Sequence, residues 1–221
     1  MSSISAGDVY RDPLVAKLAE AAAAGDRAGI NTLVRLGADV NARGDGGVSL
    51  LHWALLHRNT NGLIAILSAG ANPALVDDRG RTIMHDAAEH EDPDPLIALL
   101  IAGVNPDLRH GSTGQTPLFT AIMYGNERQF RALLSAGADV NAVDMNGNRP
   151  LHHAAKVNDA ARALVLLELG ADPRALNGQG VTFQRYMNMM DDKLRTQAAR
   201  EAKMRLDMWL YHHGIPLEPR Y

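Results

Sequence analysis

Apolar residues fall along this chain in short clusters that come in pairs. Leu14, Val15, Leu18 and Ala22 form one stripe at helical spacing, Gly25-Asp26 interrupts it, and Ile30, Leu33 and Leu36 form the next. The pairing returns four times. Val48-Ser-Leu-Leu-His-Trp-Ala54 leads to Leu63-Ile-Ala-Ile-Leu67, and Arg81-Thr-Ile-Met-His-Asp-Ala87 leads to Leu96-Ile-Ala-Leu-Leu100. Gly114-Gln-Thr-Pro-Leu-Phe-Thr-Ala121 leads to a cluster of Phe130, Leu133 and Leu134, and Asn148-Arg-Pro-Leu-His-His-Ala154 leads to Ala163-Leu-Val-Leu-Leu167. The pattern predicts a chain built of paired short helices.

The polar and glycine positions between the clusters keep the same period. One ladder runs through Gly37, Gly70, Gly103, Gly137 and Gly170, at steps of 33, 33, 34 and 33 residues. A second runs through Gly47, Gly80, Gly114, Gly147 and Gly180, at steps of 33, 34, 33 and 33. Two independent ladders with one period mark internal repeats. In the copy from Gly114, Thr116 is predicted to cap a helix that Pro117 opens and that runs to about Met123. Gly125-Asn126 breaks it, a second helix follows from about Glu127 to Ser135, and Gly137 ends that helix in the left-handed conformation. Ala138 to Ala142 then supplies an extended arm, and Asp144 to Gly147 a turn.

These motifs resemble the ankyrin repeat, which reads Gly-x-Thr-Pro-Leu-His-x-Ala-Ala and then Leu-Leu-x-x-Gly-Ala-Asp. The resemblance covers residues 13 to 180 and rests on repetition in phase. There are departures. Leu50 and Ile83 stand where the motif has proline, Phe119 where it has histidine, and Arg149 where it has threonine, which weakens that cap. The implied fold is an all-α ankyrin-repeat solenoid of helix-turn-helix units with short β-hairpin-like turns and capping units. Its expected divisions are an N-terminal tail (1–12), a capping repeat (13–43), repeats at 44–76, 77–109, 110–143 and 144–176, and a C-terminal capping unit (177–221). Gly180 to Gly214 spans 34 residues where Gly47 to Gly70 spans 23. The surplus predicts one long amphipathic helix from Asp192 to His213, with Leu194, Ala198, Ala202, Leu206, Trp209 and His213 on one stripe. It would cap the array, or its end would touch a partner.

Composition narrows the function. A net charge of -3 does not make the basic face that nucleic acid calls for. No apolar run is long enough to span a membrane, so no membrane insertion is expected. With no cysteine there is neither a disulfide nor a thiolate metal site. The first residues carry no secretory leader, which favours a soluble cytoplasmic protein; a leader already removed would allow the periplasm.

The nine histidines invite a chemical reading. His52, His85 and His152, however, hold the motif position, which the resemblance assigns to a hydrogen-bonding post between neighbouring units. The stretch from His85 to Asp94 is rich in acids, but they straddle a helix end and a loop without metal-ligand spacing. There, Asp94-Pro95 reads as the cap and first residue of the next helix, and the acids as either a contact patch for a basic partner or a solvated loop. No nucleophile elbow, phosphate loop or dinucleotide motif is present. The expectation is no enzyme, no cofactor and no metal.

The family resemblance implies a partner surface instead, on the concave side, made of turn tips and first helices. Carried over unit by unit, it takes in Trp53, Leu56 and His57, then Arg79, Arg81, Asp86, Glu89 and His90. It continues with Arg109 and His110, Met123 and Tyr124, Met145 and Asn146, and His153 and Lys156. Trp53 and Tyr124 are expected to be half-wet anchors, since aromatics and Met favour interface cores. The extra residue in Arg109-His-Gly-Ser-Thr-Gly114 is expected to make that finger project or bend and take part in recognition. The implied function is binding of a protein partner. Bacterial ankyrin proteins that resemble immunity proteins of a type VI secretion effector extend this to neutralising a toxin. The alternatives are a scaffold or chaperone-like accessory protein and, from another class, a metal-binding or enzymatic protein on the repeat scaffold.

Overall fold

The computed structural model describes residues 5–219, with the side chain of Asp192 left out. Among the described residues it holds α-helices, two 3-10 turns and two isolated bridges (Arg43–Ser49 and Val76–Thr82), but no strand. The chain divides between Ser112 and Thr113 into two compact units.

The first unit contains α1 (Ala6–Val9), α2 (Pro13–Ala24), α3 (Arg27–Arg35), α4 (Leu50–Leu56), α5 (Thr60–Ser68), α6 (Ile83–Glu89) and α7 (Asp94–Ile101). Local chemistry sets most of the boundaries. Asp12 accepts the Leu14 N–H at 2.7 Å and Pro13 opens α2; Gly25 closes it at φ 72°. Asp26 and Asn59 cap α3 and α5 by accepting from Gly29 (2.9 Å) and Gly62 (2.8 Å). Asn59 also donates to the Ala23 carbonyl at 2.9 Å, which ties one helix pair to the one before. At α7 the cap lies earlier than the sequence reading put it. Pro93 is the N-cap residue, Pro95 stands within the first turn, and the Asp92 carboxylate accepts the Asp94 N–H at 3.0 Å.

First helices stack on first helices (α2, α4, α6) and second on second (α3, α5, α7). Between the layers Leu18, Ile30, Leu50, Leu63, Ile66, Ile83 and Leu96 are fully buried. Each such side chain stabilises by about 1.5–3 kcal/mol. That burial holds helices which, at 7 to 12 residues each for α2 to α7, are too short to persist alone.

The second unit repeats the plan with α8 (Pro117–Tyr124), α9 (Glu127–Ser135), α10 (Pro150–Lys156), α11 (Ala160–Glu168), α12 (Phe183–Met187) and α13 (Gln197–His212). Thr116 does occupy the N-cap of α8, but its hydroxyl makes no capping bond and is buried without a partner. The expected long terminal helix is interrupted. A 3-10 turn covers Asp192–Leu194, and α13 begins afresh with Thr196 accepting the Ala199 N–H at 3.2 Å. Arg195 turns inward and donates to the Met187 carbonyl at 2.6 Å. Leu194 and Ala198 are therefore exposed, and the buried stripe is Ala202, Lys203, Leu206 and Leu210. The tail is also not all tail: residues 1–4 lie outside the described residues, but α1 folds and buries Tyr10 beside Trp53.

Candidate functional site

The turn tips are joined by backbone hydrogen bonds. In the first unit Asp78 N–H donates to Gly46 O at 3.0 Å and Gly111 N–H to Gly80 O at 2.7 Å. In the second, Met145 N–H donates to Thr113 O at 2.9 Å and Gly178 N–H to Asn146 O at 2.8 Å. Donor follows acceptor by 32 residues in three of these bonds and by 31 in the Gly80–Gly111 bond. The extra residue of the 34-residue step is thus absorbed by a one-residue slip in the tip pairing. His110, half-buried, packs edge-on to His85 with ring centroids 5.6 Å apart, and Arg109 is exposed. Gly80 sits at φ +85°, and a Cβ there would lie 2.9 Å from the His110 ring, so this tip needs glycine twice over.

The charged residues singled out in the first unit are largely spent on one another. Asp77, buried, accepts from the Arg79 N–H (3.0 Å), the Arg81 N–H (2.8 Å) and Arg79 Nε (2.9 Å). Burial opposes its charge, but these donors more than offset it and hold the carboxyl below the usual range. Arg81 pairs with Asp86 at 2.5 Å and with Glu89. His52 places Nε2 3.7 Å from Asp86 and shares a 2.7 Å hydrogen bond with Ser49 through Nδ1. An open groove of about 430 Å³ runs over this cluster, with Leu56, Arg79, Arg81, Asp86, Glu89 and His90 among its walls.

Trp53 is not half-wet. It is 5% exposed, against Tyr10 on one side (5.8 Å, edge-on) and His57 on the other (4.4 Å). Its neighbours on α4 are the exposed ones: Leu56 is 68% exposed, and His57 is held by a 2.9 Å bond between Nδ1 and Trp53 O.

In the second unit Asp144 is the hub. It accepts the N–H groups of Asn146 (2.9 Å) and Asn148 (2.8 Å), the Asn148 and Gln115 amides, and meets His153 Nε2 at 3.3 Å. His153 is buried, edge-on to Phe119 at 4.8 Å, so it supports the surface rather than forming it. Met123, Tyr124 and Met145 are 53%, 55% and 68% exposed, and Asn146 is exposed beside them at its tip. Lys156 donates to Asn148 at 2.9 Å and lies 4.8 Å above the Tyr186 ring. A groove of about 580 Å³ is lined by Met145, Asn146, Lys156, Asn177, Gln179 and Tyr186. Asn177 and Tyr186 were missed from sequence; Tyr186 stands at the start of the terminal unit, where the motif pattern has lapsed.

His152 Nε2–H donates to the Val181 carbonyl of the next repeat at 3.2 Å, as a hydrogen-bonding post should. No three acidic or histidine side chains converge as a metal cage among the described residues. Nor is any described helix long and apolar enough to cross a membrane.

Paired helices in two layers, glycine-closed second helices and hydrogen-bonded tips define an ankyrin-repeat protein. Residues 87–177 match the model of the ankyrin repeats, in three copies. Protein PhlB of Serratia liquefaciens is 41% identical over 144 residues, 64% of this chain and 62% of that protein's own length. The chain thus matches less than two thirds of that relative. Among solved structures, the Bd0816 predatory endopeptidase from Bdellovibrio bacteriovorus in complex with immunity protein Bd3460 is similar at 26% identity and TM-score 0.63, over 89% of this chain and 97% of that one. The human ASB11 ankyrin repeat domain shares the fold at TM-score 0.66 and 24% identity, over 95% of this chain and 86% of that one. The coarse functional class follows from the repeats: a protein-interaction module.

Proposed function

We propose that this chain binds a protein partner stoichiometrically and without catalysis, and that the partner is a secreted bacterial toxin or effector which it neutralises. The observation that carries the binding reading is the set of large apolar side chains left exposed on rigid first helices and tips: Leu56 in one unit, Met123, Tyr124 and Met145 in the other. Aromatic and Met side chains held this way favour interface cores, with His57, Arg79, His90, Arg109, His110, Asn146 and Lys156 as polar surroundings. Arg81, Asp86 and Glu89 act as a preformed charge cluster, and Trp53 and His153 as buried supports. The likeness to the endopeptidase–immunity protein complex supports a toxin as partner.

The test is co-expression with toxin candidates encoded beside this chain, with affinity measured on the purified pair. Wild-type chain should relieve toxicity. Tyr124→Ala should weaken binding about tenfold or more, the scale of a 1.4 kcal/mol interface anchor. Unchanged affinity in Tyr124→Ala and Met145→Ala together would remove the proposed face. A bound partner without any relief of toxicity would point to the scaffold or chaperone-like role.

A further inference from the structure

We propose that the hollow between α1, the first turn tip and α4 is a binding site for a lysine or arginine side chain of the protein partner. The hollow measures about 570 Å³ and lies wholly in the first unit. Its walls are apolar and aromatic: Val9, Val48, Trp53 and Leu56, with the His57 ring beside the indole. Asp8 and Asp45 are its acidic members, both exposed, and neither enters an ion pair among the described residues. Hydrogen bonds from the Ser5 hydroxyl (2.7 Å) and N–H (3.0 Å) keep Asp8 ionised.

An aliphatic wall with carboxylates at the rim is complementary to a side chain that is a hydrocarbon stem carrying a cation. The stem lies along the apolar surface and the head reaches the carboxylates. A second observation points to a ligand. Trp53 Nε1 is buried with no hydrogen-bond partner. A buried donor left unmade is costly, so a shift of the hollow's wall that lets a bound chain's carbonyl accept from it is favoured. Arg43, the cation on the same turn tip, is already committed to Val76 O at 2.7 Å and to Asp78 at 3.4 Å.

This inference deepens the binding reading and rests on it for the identity of the ligand as a partner's side chain. The test separates the two. The full chain is titrated with N-acetyl-lysinamide, N-acetyl-argininamide and the neutral N-acetyl-norleucinamide, following the Trp53 indole N–H by NMR, assigned with Trp209→Phe. The cationic probes should give a saturable shift, and norleucinamide at least about tenfold weaker binding. Asp8→Asn combined with Asp45→Asn should weaken the cationic probes about tenfold while the indole signal stays dispersed. No shift, or equal binding of norleucinamide, overturns the site. A partner that binds the double Asn variant as tightly as wild type overturns it too, and leaves the function standing. Cation binding with no protein partner would instead sustain the site and remove the functional reading.

Discussion

The hydroxyl residue at the start of a repeat and the histidine three positions later act as a pair, and one repeat shows what the pair contributes by lacking half of it. Ser49 and His52 bond at 2.7 Å, Thr82 and His85 at 2.8 Å, all four side chains buried. In the next repeat Phe119 replaces the histidine, and Thr116 Oγ1 is left buried with no partner. The two threonines therefore differ in sign. Thr82→Val removes a made hydrogen bond and leaves His85 Nδ1 only the longer 3.3 Å bond from the Thr82 N–H, which should cost about 1–2 kcal/mol. Thr116→Val removes only an unsatisfied hydroxyl and should be neutral or stabilise by about 1 kcal/mol. Urea unfolding midpoints compare the two directly; equal destabilisation would mean the Thr116 hydroxyl finds an acceptor after all.

At the scale of elements, the helix pairs were legible because their signals are local. Asp12, Asp26 and Asn59 announce helix starts and Gly25 announces an end, and each needs only neighbours within four residues. Most of the failures need distant partners; the α7 cap, where Pro93 and Asp92 stand in for Asp94, is the local exception. The four residues of α1 have no period to detect; Ser5 and Asp8 cap them locally, and Tyr10 finds cover beside Trp53. Trp53 in turn loses its solvent to that same segment, so its burial was invisible from the α4 pattern. The start of α13 depends on Arg195 reaching Met187 O, which lets Thr196 begin a new helix. Gly62 shows tertiary packing reversing a local rule. An alanine inside a helix usually gains up to about 1 kcal/mol over glycine. Here a Cβ would lie 1.8 Å from the Ala22 carbonyl oxygen, backbone that cannot step aside. Gly62→Ala should instead lose about 1–3 kcal/mol, whereas Gly7→Ala, whose Cβ meets only Ser5 Oγ at 3.9 Å, should not destabilise. Thermal melting of the two variants checks the contrast. A stabilised Gly62→Ala chain would mean that α2 and α5 pack less tightly than described.

At the scale of the whole chain, the repeat puts the same imidazole problem in several places at once, and this sets a pH dependence. His52, His152 and His153 lie in the packed helix layers and His110 against a turn tip. For all four, burial is the largest influence and pushes the imidazole below its ordinary value of 6.5. Asp86 beside His52 and Asp144 beside His153 pull the other way without reversing it. In the unfolded chain these histidines protonate near 6.5, whereas in the folded chain they resist. Below that pH the unfolded state binds more protons, so stability rises with pH through this window and falls as pH drops. The contribution is fully present above about pH 6.5 and is lost as pH falls toward the folded values. Asp77 and Asp144, held below the carboxylate range, add losses only at more acidic pH. Urea denaturation at pH 7.5 and 5.5 should therefore show a lower midpoint at 5.5, and His152→Gln with His153→Gln should shrink the difference between the two pH values even if it lowers both. A midpoint unchanged between those pH values would mean that these imidazoles titrate as freely when folded as when unfolded. The repeat would then place its histidines in water rather than between its helices.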